Sequence, residues 1–234
     1  MANRSSTKSK TTLKGTNAAD TLMVKHQQIT VTAGKGNDKI NVNSGSTHKI
    51  YGEAGNDTIT IGAKASSGSK IYGDDASNKL TGKDTFTING GKKNTFYGGK
   101  GADTFNINGG TSNYLYGSDG NDSLYGGNGS DWLYGGAGAN SLYADSDFGK
   151  DNDCDTFYFD SQSTGMNWVY GFTPGAGVSS DIIDFGSGAS LSDHYNENSN
   201  AILELSTGGK ICIYGAAHHI IQAGGQSIDF SDPD

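Results

Sequence analysis

Apolar residues return along this chain in short alternating stretches and never in a long run. Asp84-Thr-Phe-Thr-Ile and Asp103-Thr-Phe-Asn-Ile alternate polar and apolar positions, and glycine closes each stretch within a few residues. Segments so short and so bounded predict β-strands rather than helices. The aspartates that precede these strands, Asp20, Asp38, Asp57, Asp84, Asp103 and Asp122, are separated by 18, 19, 27, 19 and 19 residues. The long step reads as one coil carrying an insertion around Gly73 to Lys83. Around Asp122 the repeat halves to nine residues, Gly117 to Tyr125, Gly126 to Tyr134 and Gly135 to Tyr143.

A coil of 18 or 19 residues with two strands cannot bury its own apolar face, so successive coils must stack into two parallel sheets. The inward column of the first sheet is predicted as Leu22, Ile40, Ile59, Phe86, Phe105, Leu124 and Leu142; that of the second as Ile50, Ile71, Phe96, Leu115 and Leu133. The period stops at Asp155. Beyond it, strands are expected at 155–160, 167–172, 181–185, 201–205 and 210–215, forming an irregular β cap over the open end of the solenoid. The organisation expected is a flexible polar N-terminus over 1–14, a parallel roll over 15–154 and a cap over 155–234.

Composition narrows the chemistry. With 37 glycines and two prolines the chain is neither collagen-like nor, given its regular Ile, Leu, Phe and Tyr, a disordered linker. A formal charge of −8 disfavours nucleic acid and anionic membrane and favours cations. No apolar run approaches the ~20 residues of a membrane helix, and no Sec-type signal is visible at the start. Cys154 and Cys212 match no zinc spacing and read as two buried thiols rather than a pair. His26, His48, His194, His218 and His219 form no zinc motif; the adjacent pair His218-His219 reads as a surface turn. Neither a nucleophile elbow nor a phosphate loop occurs, so no enzyme activity is expected.

The chemistry lies in the loops before the first sheet, Ala33 to Asp38, Gly52 to Asp57, Gly98 to Asp103 and Gly117 to Asp122, with Gly126 to Asp131 on the opposite edge. Glycine lets the backbone turn its carbonyls toward one point, and the terminal Asp adds a carboxylate. A cage of carbonyl and carboxylate oxygens selects calcium over magnesium, which keeps its waters, and over zinc, which wants His or Cys. Aspartates serving only as turn formers would suffice for one loop, but like charges repeated across stacked coils need a counter-ion.

The nine-residue pattern Gly-Gly-x-Gly-x-Asp-x-aliphatic-x resembles the RTX (repeats-in-toxin) calcium-binding repeat. Gly126 to Tyr134 matches fully, Gly98 to Asn106 with Phe105 as the apolar residue, and Gly117 to Tyr125 with Ser118 at the second glycine. The resemblance implies an all-β, right-handed parallel β-roll with several Ca2+ ions between loops on one edge. Its ligands would come from Ala33, Lys35, Gly36 and Asp38; Gly52, Ala54, Gly55 and Asp57; Gly98, Gly99, Lys100, Gly101 and Asp103; and Gly117, Ser118, Asp119, Gly120 and Asp122. The inserted loop adds Asp74, Asp75 and Asp84, the opposite edge Gly126, Asn128 and Asp131, and a weaker last site Gly135, Ala137 and Asn140. A further site is expected where the Asp131 loop meets the acidic segment 145–155.

The resemblance also implies a secreted or cell-surface bacterial protein, exported by type I machinery through an uncleaved C-terminal signal and folding on calcium outside the cell. The order of the C-terminal strands is similar to the caps of many such proteins. An accessory domain of a secreted enzyme or toxin is the alternative. Two outward rows invite other partners. Tyr51, Tyr72, Tyr97, Tyr116 and Tyr134 would bind polysaccharide or simply stabilise the sheet as a ladder, the preferred reading; Thr58, Thr60, Thr85, Thr87, Thr104 and Asn106 form the flat array of an ice-binding solenoid or an ordinary polar strand face.

Overall fold

A computed structural model describes residues 1–65, 67–77, 79–144, 153–174, 180–216 and 220–229. Among the described residues every regular element is a β-strand, and the strands fall into a 12-stranded and an 11-stranded sheet. The chain alternates between them, so each strand pairs with the strand two places on, and the pairing is parallel from the first coil to Ile182–Phe185. This is a two-sheet parallel β-roll.

Register puts the predicted columns in place. On the first sheet Leu22 pairs with Ile40, then Ile59, Phe86, Phe105, Leu124 and Leu142, and the column runs on to Val169. On the second, Val31, Ile50, Ile71, Phe96, Leu115 and Leu133 continue to Phe157 and Ile183. Every one of these side chains is fully buried. Identical neighbours stack well: the rings of Phe86 and Phe105 lie 4.4 Å apart and nearly coplanar in orientation, 1° between planes.

Both ends differ from the sequence expectation. Residues Asn3–Ser5, within the stretch expected to be a flexible arm, pair in parallel with Thr21–Met23, and Thr12–Thr16 opens the second sheet. Asn3–Ser5 is exposed throughout, so no apolar pattern marks it; edge pairing of the backbone makes it a strand. At the other end the parallel ladders do not stop at residue 155 but carry on through Thr156–Phe159, Met166–Tyr170 and Ile182–Phe185. Antiparallel pairing begins only where Leu191–Glu197, Asn200–Leu205 and Lys210–Ile213 fold against one another, and where Ile220–Ala223 turns back as Gln226–Asp229. These hairpins cover the last parallel strand of each sheet. His218 and His219 lie outside the described residues, as does the end of the chain from residue 230.

Candidate metal sites along the roll edges

The aspartates that end the glycine loops form a continuous side-chain ladder. The backbone N–H of each donates to Oδ1 of its counterpart in the next coil: Asp20 to Asp38 at 2.6 Å, Asp38 to Asp57, Asp57 to Asp84 and Asp84 to Asp103 at 2.7 Å, and Asp103 to Asp122 at 2.8 Å. The series ends in a neutral residue, with the Asp122 N–H donating to Oδ1 of Asn140 at 2.9 Å. Asp84 joins directly after Asp57, so the 27-residue step is absorbed by an insertion that leaves the ladder unbroken.

One oxygen of each carboxylate therefore holds the coils together, and the other does not. The Oδ2 atoms of Asp38, Asp57, Asp84, Asp103 and Asp122 are buried with no hydrogen-bond partner. A buried carboxylate oxygen without a donor is costly unless it is protonated or meets a cation. Burial accordingly drives the acids upward, to about 7 at Asp57 and Asp103, 8 at Asp122 and 9 at Asp84, with neighbouring carboxylates adding to the shift. Asp20 at the start of the ladder is different. Its Oδ2 takes the Thr16 N–H at 2.6 Å and the Thr16 hydroxyl at 2.8 Å, and Oδ1 takes the Ala2 N–H, so its carboxylate is satisfied within the protein.

The oxygens around each unpartnered Oδ2 are backbone carbonyls of the next coil. A Cβ on Gly98 would come within 2.3 Å of Asp103 Oδ2 and 2.7 Å of the Gly117 carbonyl, and Gly117 stands in the same relation to Asp122 and Gly135. The first glycine of each loop thus leaves open a small cradle between a carboxylate and a carbonyl. The fourth lies against the preceding coil: Gly101, at φ 139°, would put a Cβ 1.6 Å from the Gly82 carbonyl. Between them the loops are zipped as strand ends, Gly36 N–H to the Ala54 carbonyl and Gly101 N–H to the Asp119 carbonyl at 2.8 Å, with Gly82 to Lys100 and Gly120 to Ala137 at 2.9 Å. Lys35 pairs with Ala54 in the same register. Among the described residues no three His, Cys, Asp or Glu side chains converge on one point. The donor set is instead one carboxylate per coil plus carbonyls, an all-oxygen set that suits calcium.

The other predicted site residues separate. Asp75 folds back onto its own turn, accepting from Ser77 Oγ and from the Lys79 N–H at 3.0 Å. Asp74 is buried away from the ladder, accepting the Lys100 N–H at 2.7 Å. On the opposite edge Asn128 is exposed, Gly126 donates to the Tyr143 carbonyl at 2.9 Å, and the Gly129 N–H donates to Asp153, so the Asp131 loop does meet the acidic segment. Residues 145–152 of that segment lie outside the described residues.

The opposite edge has its own ladder, which the sequence concealed. His48 N–H donates to Ser69 Oγ at 3.0 Å, Ser69 to Asn94 Oδ1 at 3.0 Å, Asn94 to Asn113 at 3.3 Å, Asn113 to Asp131 at 2.6 Å, Asp131 to Asp155 at 2.7 Å and Asp155 to Asp181 at 2.9 Å. Carboxylates thus occupy the first edge up to Asp122, where neutral residues stand opposite, and the second edge from Asp131 on, where Asn140 and Asn167 stand opposite. Asp155 and Asp181 carry the one available signal, an Asp placed directly before an alternating strand. The tyrosine row is also real: Tyr51, Tyr72, Tyr97 and Tyr116 stack at 5.0, 4.7 and 4.9 Å, while Tyr134 turns edge-on and donates to Asp160 at 2.8 Å.

The fold and its edges define a parallel β-roll with stacked acidic glycine loops. A family model, the RTX calcium-binding nonapeptide repeat, matches in four copies over residues 49–63, 87–111 and 107–142. The chain therefore carries RTX calcium-binding repeats, and the matched segments contain the Gly52, Gly98, Gly117 and Gly126 loops. Among solved structures, the extracellular lipase LipA from Serratia marcescens is similar at 16% identity and a TM-score of 0.29, over 80% of this chain and 42% of that one. The chain spans less than half the length of that protein. No curated protein matches.

Proposed function

We propose that this chain is a non-catalytic module of a secreted bacterial protein whose roll closes only when calcium fills the acidic edge. The observation that carries the reading is the series of buried, partnerless Oδ2 atoms at Asp38, Asp57, Asp84, Asp103 and Asp122. Each pairs with a cradle that a single Cβ would block, shown most clearly by Gly98 and Gly117. Calcium bound there supplies positive charge to oxygens that the protein itself leaves without donors. The ladder aspartates and the loop carbonyls would hold it; Asn140, neutral, would end the series.

Binding and folding are then one equilibrium, because the cages exist only when coils are stacked. In a calcium-poor cytosol the acidic loops repel and the chain stays extended; outside the cell, in the range of about 10⁻⁴ to 10⁻³ M at which extracellular modules bind, it closes. Type I export, which takes unfolded chains, is consistent with that order of events. Isothermal titration of the chain with CaCl2 and with MgCl2 at pH 7.5 tests the reading. It predicts calcium binding coupled to a large folding enthalpy and no such heat from magnesium; equal heats from both, or none, would refute it.

A further inference from the structure

The insertion after Gly73 does more than interrupt the repeat. A cavity of about 310 Å³ opens beside it on the outer face of the second sheet, lined by Tyr72, Tyr97, Asp74, Asp75, Gly99 and Ser118. That volume sits at the low end of the ~300 to 1,000 Å³ usual for small-ligand sites. On the flat flank of a solenoid such a concavity has to be built, and here an extra loop builds it against the tyrosine row.

Its walls are chemically specific. Asp74 is only 1% exposed; Oδ2 accepts the Lys100 N–H at 2.7 Å, and Oδ1 is buried without a donor. Gly99 must be glycine to admit it, since a Cβ there would lie 2.4 Å from Asp74 Oδ2. The carboxylate is therefore packed in place, half satisfied, and outside the edge ladder. Asp75, bonded to its own turn, adds charge but no open acceptor. Tyr72 and Tyr97 stack at 4.7 Å, with Tyr51 and Tyr116 over their outer faces. No ring face is free, so the row presents edges and phenolic hydroxyls at regular intervals, joined by the Ser118 hydroxyl.

This combination excludes several ligands. Two carboxylates reject anions, and covered ring faces deny stacking to flat aromatics and cation–π contact to amines. What remains complementary is a neutral molecule rich in hydroxyls, able to donate to Asp74 and to exchange hydrogen bonds with the tyrosine row. We propose that the cavity between the insertion and the tyrosine row binds a neutral glycan, with one sugar hydroxyl donating to Asp74 Oδ1 and the strand following Tyr51, Tyr72, Tyr97 and Tyr116 along the roll. This goes beyond the calcium reading and needs only the folded roll.

The test uses the full chain in saturating calcium, titrated with cellohexaose, mannohexaose and maltohexaose and followed by ¹H–¹⁵N NMR. Binding of at least one should move the amides of Tyr72, Asp74, Tyr97 and Ser118. Tyr97→Phe, which keeps the ring stack and removes one hydroxyl, and Asp74→Ala should each weaken binding by about tenfold. Calcium midpoints measured on the same samples report the edge sites separately, and Tyr97→Phe should leave them unchanged. No perturbation at these four residues, unaltered affinity in Tyr97→Phe, or occupation of the patch by putrescine or oligogalacturonate in place of the neutral sugars would overturn the proposal.

Discussion

Asp122 divides its carboxylate between two tasks: Oδ1 accepts the Asp103 N–H at 2.8 Å, and Oδ2 is buried with nothing to accept. The first task needs only an oxygen, as Asn140 shows by doing the same for Asp122 itself. The second makes sense only for a cation or a proton. The roll is thus stitched by groups that are indifferent to charge and regulated by atoms that are not.

Replacing Asp103 by Asn separates the tasks. The amide oxygen can still accept the Asp84 N–H that Asp103 Oδ1 takes at 2.7 Å, while an NH2 replaces the unpartnered Oδ2. Asp103→Asn should weaken calcium binding at that loop by about tenfold or more, ~1.4 kcal/mol per decade. It should also raise residual β-structure in chelator, because one buried charge is gone. Calcium titration and circular dichroism on the same variant read both effects.

The metal-free protein should respond to pH in an unusual direction. Asp57, Asp103, Asp122 and Asp84 titrate in the roll near 7, 7, 8 and 9, against 3.8 when exposed, chiefly through burial. Between those limits the folded form holds protons that the unfolded chain has released. Its stability is therefore unpenalised below about pH 4 and is lost as pH rises through 7 to 9. In chelator, ellipticity should show more β-structure at pH 5 than at pH 8, and calcium affinity should fall as pH drops from 8 to 6 because protons compete for Oδ2. A metal-free form more ordered at pH 8 would contradict the electrostatic account.

Gly101→Ala attacks the stacking of loops rather than the charges. Its φ of 139° and the 1.6 Å approach of a Cβ to the Gly82 carbonyl leave no relaxed position for a methyl group. The melting temperature in saturating calcium should drop, with a loss of at least ~1 kcal/mol from the backbone alone. Gly208→Ala is the control, also at positive φ, 84°, but with nothing within 4 Å of the added carbon.

Phe105→Ala tests the column. Phe105 is fully buried and stacked on Phe86 at 4.4 Å, so truncation should cost about 3 to 5 kcal/mol and lower the calcium-loaded melting point more than any loop variant.

The legible part of this architecture was the part with a period. The phasing of Asp84 and Asp103 gave the coil length, the inward columns and the first edge, because identical residues recur at identical spacing. The opposite edge hid because His48, Ser69, Asn94 and Asn113 do one job with three kinds of side chain, each offering an acceptor to the preceding coil. Farther on, Asp131 to Asp155 and Asp155 to Asp181 span 24 and 26 residues, so irregular turns broke the spacing while the ladder continued. Asn3–Ser5 and the mostly exposed Leu191–Glu197 carry no strong apolar alternation and are strands by backbone pairing. A second aromatic stack, Tyr125, Tyr143 and Tyr170 at 4.2 and 4.6 Å, formed across the point where the nine-residue repeat gives way. Asp75 matched the acidic composition of a ligand, yet its geometry is that of a turn former.

Small-angle scattering with circular dichroism at pH 7.5, on one sample carried from excess chelator into millimolar CaCl2, addresses the central claim most directly. The account predicts an expanded, β-poor chain in chelator that contracts to a compact β-rich particle with calcium and does not do so with magnesium. A particle already compact and β-rich in chelator, with no bound metal, would contradict it.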